Sequence, residues 1–152
     1  MPLKRVDNWD TVALDQFFVA RRTMPFAWGK NDCCLFTADA IQAMTGVDLA
    51  ADFRGKYSDA KSAFALIHSL SGGSTVADAA AWCATKYGLT EWVDKAAKPL
   101  PLMAKRGDLI VVENAGQLIA GIVHLNGRDV ISVAEQGAVR LPLTAVQRAW
   151  KV

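Results

Sequence analysis

The sequence predicts an α+β fold in which N-terminal helices pack on a C-terminal antiparallel β-meander. Three observations predict it. Apolar residues recur at helical spacing through the first half, the apolar period falls to two beyond Gly88, and no repeat, linker or low-complexity segment interrupts the change. A chain of 152 residues that is 52% hydrophobic can bury a full core without disulfide or metal support, so one domain over residues 1–152 is expected.

Trp9, Val12, Ala13, Phe17 and Ala20 define the apolar face of a first helix, with Asp7 and Asn8 as cap candidates and Arg21 and Arg22 suiting its C-terminal end. After the turn "TMPFAWGKN", a second helix starts at Asp32, runs through "CCLFTADAIQAM" and stops near Gly46. "DLAADFRGKY" reads as an irregular connection. "SDAKSAFALIHSL" is a third helix capped by Ser58 and closed by Gly72 and Gly73; "TVADAAAWCATKY" is a fourth, capped by Thr75 and closed by Gly88. "TEWVD", "GDLIVVEN", "QLIAGIVHL", "DVISVAE" and "AVRLPL" are short, rich in Val and Ile, and separated by Gly, Asn and Asp, as strands are. "NAGQ" and "NGRD" suit hairpin turns. "KAAKPLPLMAKRGD" is the longest predicted loop.

Composition excludes several roles. Formal net charge is +2 with scattered basic residues, which argues against a nucleic-acid partner. No window reaches the roughly 18 apolar residues of a membrane span, and "MPLKRVDNWD" holds no apolar run of signal-peptide length. Three cysteines, two of them the adjacent Cys33 and Cys34, read as thiols made in a reducing compartment. They lack C-x-x-C spacing, so no metal site and no cofactor is expected.

Cys33 falls in the first turn of the second helix. There the helix dipole and unsatisfied N–H groups favour thiolate and can hold an oxyanion, which makes Cys33 the candidate nucleophile. Its competing reading is a buried thiol, the reading that also fits Cys34 and Cys83. Asp32 reads as helix N-cap ahead of acid catalysis. His124 is the candidate base, although strand alternation sets Ile119, Gly121 and Val123 on one face and His124 on the other. His68, beside Phe64, Ala65 and Ile67, is a weaker candidate.

"WGKNDCCLF", "RGDLIVVEN", "AGIVHLNG" and "DVISVAEQGAVRLPL" together resemble the NlpC-type cysteine peptidases, which have a papain-like fold. "FAWGKNDC", "AMTGVDLA", "RGKY" and the terminal "AW" resemble, over nearly the whole chain, a family of small bacteriophage proteins related to those peptidases and encoded among tail genes. The resemblance matches Asp32 and Cys33 to the family's D-C pair and Gly107, Asp108 and Leu109 to its G-D-L. It puts Ile119 where the catalytic histidine belongs and Ser132 where a third polar residue orients the imidazole. What it implies is a virion tail-tip protein, made in the host cytoplasm, whose hydrolase site is degenerate and whose partners are other tail proteins. The alternative is a working hydrolase that uses Cys33 on the peptide crosslinks of peptidoglycan; a small binding adaptor is a third reading. Five tryptophans and six phenylalanines exceed what four helices and a meander readily hide, so apolar surface left over from the core is expected to serve docking.

Overall fold

The computed structural model describes residues 3–152 and has the α+β architecture: four α-helices packed on a six-stranded antiparallel sheet. The first helical stretch opens with a π-helix, Trp9–Leu14, and tightens into α1, Asp15–Arg21. Its capping differs from expectation. Asn8 takes a left-handed backbone (φ 59°) and its side chain caps nothing.

α2, Cys33–Thr45, is bounded as its sequence suggests, with Asp32 as N-cap and Gly46 left-handed at the C-cap. Leu35, Phe36, Ile41 and Met44 are almost fully buried along it, and each such side chain contributes roughly 1.5–3 kcal/mol. α3, Ala60–Ser71, is capped by Asp59 rather than Ser58, because Asp59 and Ser62 close a reciprocal capping box. α4, Val76–Lys86, has the same box from Thr75 and Asp78.

The strands are β1 (Thr90–Glu91), β2 (Leu109–Asn114), β3 (Gln117–Val123), β4 (Asp129–Ala134), β5 (Gly137–Pro142) and β6 (Val146–Lys151), in the sheet order β1-β6-β2-β3-β4-β5. β2 to β5 form the expected meander, and the "NAGQ" turn places Ala115 and Gly116 at positive φ. β6 is absent from the sequence reading and inserts between β1 and β2. A bulge explains why its pattern is hard to see: Val111 pairs with Arg148 and Val112 with Val146, so Gln147 is the extra residue and alternation breaks there.

The sheet is buried on both faces. Leu109, Val111, Ile122 and Trp150 pack with Ala40, Ile41 and Met44, while Ile110, Val112, Ile119, Val123 and Ala149 form a second cluster edged by Trp92, Leu141 and Leu143. The "LIVV" of β2 is therefore a continuous apolar run. The predicted long loop is partly ordered by a bridge between Val93 and Pro99 and by a 3-10 turn over Pro101–Met103. Apolar side chains are left exposed, but the aromatic residues supply little of that surface. Of the tryptophans and phenylalanines only Phe64 is exposed, and the other exposed large hydrophobics are Val, Leu and Met. Ring-on-ring and ring-on-cation contacts absorb the rest, as with Phe17 against Phe36 and Arg5 over Trp9.

Candidate functional site: the thiol at the start of α2

Asp32 fixes the start of α2 and much around it. One carboxylate oxygen accepts the Leu35 N–H at 2.9 Å, the N-cap bond; the other accepts the Gly29 N–H at 2.9 Å and the Tyr57 hydroxyl. Asp32 is 2% exposed, so these donors replace its water. Gly29 is required by this geometry. Its φ is +76°, and an added Cβ would stand 2.5 Å from the Tyr57 carbonyl oxygen. Burial, followed by the Asp32 charge, pushes the Tyr57 hydroxyl well above its ordinary pKa, so Tyr57 stays protonated as a donor.

The Cys33 thiol is half-buried and lies 4.0 Å from the Cys34 sulfur. A hydrogen bond from Cys34 lowers the Cys33 pKa against the burial that raises it, and the Ala120 backbone also lowers it, while the Asp32 charge opposes ionisation. Cys34 is the counterpart: its thiol is held well above the ordinary value, first by that hydrogen bond and then by burial. Cys83 is pushed up to about 12 by burial. All three cysteines are free and border one cavity of about 110 Å³.

That cavity lies between α2, α3, α4 and the strands β3 and β4. The β3–β4 ladder pairs only Ile122 with Ile131 and Val123 with Val130. Before Gly121, β3 stays paired with β2 but leaves its edge toward β4 open to the start of α2, and Ile119, Ala120, Val133 and Ala134 line the cavity with Cys33. Ser132 is 1% exposed and donates its hydroxyl to the Ala120 carbonyl. Gly121 permits the approach of the two strands, since a Cβ there would stand 2.7 Å from the Ile131 carbonyl oxygen.

Neither histidine borders this cavity. His124 follows β3 at the turn, stacks on Phe18 with ring centroids 5.3 Å apart, and accepts the Asn126 N–H at Nδ1. Burial, then the nearby Arg140, hold its pKa below the ordinary imidazole value. His68 is exposed on α3 with Nδ1 3.3 Å from the Gly73 carbonyl oxygen. Cys33 is thus a thiol with amide and thiol hydrogen-bond partners, lined by Ile119 and bordered by no imidazole.

The G-D-L stretch is built for structure. Asp108 accepts bonds from Arg5 Nη2 (3.2 Å), the Trp92 indole N–H (2.9 Å), the Lys105 N–H (2.9 Å) and the Val152 N–H (3.1 Å). It ties the first residues, the β1–β2 connection and the end of β6 together. Gly107 has φ +81° and leaves room for Arg5 and Met44, whose atoms would lie 2.8 and 3.0 Å from an added Cβ.

Tyr57 is the site residue that sequence reasoning missed. "RGKY" carries it, but its partner Asp32 is 25 residues away and only the folded connection joins them. Among the described residues, no group of three His, Cys, Asp or Glu side chains is placed to hold a metal ion, and no helix is long and apolar enough to cross a membrane. The family described as Domain of unknown function (DUF6950) matches over residues 4–152. No curated protein and no solved structure matches the chain.

Proposed function

The chain belongs to the DUF6950 family, described as a domain of unknown function, and from its motif resemblance together with the surroundings of Cys33 we propose a tail-tip structural or assembly protein of a bacteriophage, built on an NlpC-like, papain-type architecture whose hydrolase site is degenerate. One observation carries the degeneracy: Cys33 opens α2 beside β3, yet the residue that the NlpC resemblance aligns with the catalytic histidine is Ile119, and neither His124 nor His68 borders the cavity. A cysteine hydrolase needs a base to take the thiol proton and an acid to protonate the leaving amine. Ile119 does neither, and Ser132 gives its proton to a backbone carbonyl.

The protein on this reading is made in the host cytoplasm, joins the virion tail and works through contacts with other tail proteins. The tail assignment is supported by the resemblance of "FAWGKNDC", "AMTGVDLA" and "RGKY" to proteins encoded among tail genes. The test is incorporation. The protein should be found in purified, salt-washed particles, and Cys33→Ala should leave assembly intact. Presence in infected cells with absence from such particles would refute the reading.

A second reading has one observation in its favour. Hydrogen bonds from Cys34 and from the Ala120 backbone lower the pKa of the Cys33 thiol against its burial, which suits a nucleophile acting on the peptide crosslinks of peptidoglycan. On that reading Cys33 attacks and a group not yet assigned serves as base.

A further inference from the structure

Where the first residues, the β1–β2 connection and the end of β6 meet, a cleft of about 360 Å³ is bordered by Arg5, Lys105, Arg106 and Lys151, with Trp9 and Trp92 as its walls. The cations are arranged on the two indoles. Arg5 lies 4.0 Å and Arg106 5.6 Å from the Trp9 ring centroid, and the Lys105 and Lys151 ammoniums each lie 5.8 Å from that of Trp92. Asp108 at the base is occupied by Arg5, Trp92 and two backbone amides. Arg106 meets Asp10 at 3.6 Å, whereas Lys105 and Lys151 have no carboxylate within 4.0 Å among the described residues. The cleft therefore holds two ammoniums that form no ion pair among the described residues, and four cationic side chains border it against one carboxylate side chain, Asp108.

The segment between Trp92 and Lys105, both of which border the cleft, adjoins it at either end and adds a second feature. It returns to hydrogen-bond Trp92 through the Leu100 N–H at 2.8 Å, and it presents Leu100, Leu102 and Met103 at 39%, 64% and 51% exposure. A lone small anion would satisfy the lysines and leave these side chains in water. A peptide that alternates carboxylates with apolar residues would cover both.

We infer that this cleft docks an acidic segment of a partner protein, one with at least two carboxylates flanked by aliphatic side chains. Complementary charge steers and registers such a segment, and the Trp and Arg side chains supply the contact types that dominate binding energy. The inference gives the partner's chemistry for the docking role proposed above. It is tested on purified protein, so its outcome is separate from virion incorporation and from Cys33.

The probe is a fluorescein-labelled peptide, Gly-Glu-Leu-Glu-Glu-Leu-Gly, followed by anisotropy at physiological salt, with a glutamine-for-glutamate peptide as control. The expected result is saturable binding with Kd below about 100 μM, roughly tenfold or more weaker for Lys105→Glu/Lys151→Glu and several-fold weaker for Leu102→Asp. These side chains are exposed, so the variants should keep the wild-type melting temperature. Absence of saturation, equal binding of the glutamine peptide, or equal affinity in the charge-reversed variant would overturn the inference. So would Leu102→Asp binding unchanged while inorganic pyrophosphate displaces the peptide, which would make the cleft a small-anion site.

Discussion

Replacing Asp32 separates the scaffold of the thiol from its chemistry. Asp32→Ala removes the cap bond to Leu35 and the acceptor shared by Gly29 and Tyr57. Losing the cap costs about 1 kcal/mol. Hydrogen bonds to a charged group contribute about 1.5–3 kcal/mol each, and because two donors share one oxygen the pair adds about 2–3 kcal/mol rather than twice that. The total of about 3–4 kcal/mol corresponds to a fall in Tm of roughly 6–16 °C for a domain of this size. Asp32→Asn keeps a good cap and should lose about 2 kcal/mol, mainly because its amide group faces two donors. The thiol should respond in the opposite sense. The Asp32 charge opposes ionisation of Cys33, so its removal should move the inflection of iodoacetamide alkylation to lower pH. Urea melts measure the first effect, and alkylation against pH in a Cys34→Ala/Cys83→Ala background, with and without Asp32→Asn, measures the second. A loss under about 0.5 kcal/mol for Asp32→Ala, or an inflection that moves up in Asp32→Asn, would refute the reasoning.

Asp108→Asn should be severe, at about 3–5 kcal/mol in urea melts, because it leaves Arg5 beside a neutral group and turns an amide toward N–H donors. An unchanged midpoint would remove Asp108 from its place as the tie between the chain's two ends. His124 should titrate below the ordinary imidazole value in an NMR series. Its folded pKa is depressed, so between the folded and unfolded values the unfolded chain binds more protons. Stability should then rise with pH through that window and fall as pH drops below the unfolded value of about 6.5; His124→Gln should flatten the dependence.

Much of this architecture is legible in the sequence because local signals and tertiary structure agree. Asp32 and Gly46 bound α2 as cap and left-handed stop, and Gly88 marks the change to strands. Elements set by distant partners are harder to read. β6 hides its periodicity behind a bulge whose cause lies in β2, and Asn8 adopts a left-handed conformation where a side-chain cap was expected. The start of the site is legible in the same way: alternation correctly sets Ile119 and Val123 apart from Ile122, which packs toward the helices. Tyr57 and the Ala120 backbone are not, since each reaches the thiol's surroundings only through the folded chain. The surplus of aromatic residues misleads as to which side chains stay exposed, because cations and other rings cover all but Phe64 and leave exposure mainly to Val, Leu and Met.

The most direct measurement of the central claim, a cysteine site without a base, is release of soluble muropeptides from purified peptidoglycan sacculi by wild-type protein and by Cys33→Ala. With Ile119 and no imidazole lining the cavity around Cys33, the two proteins should release the same background amount. Release by the wild type that Cys33→Ala abolishes would contradict the account and establish a working hydrolase.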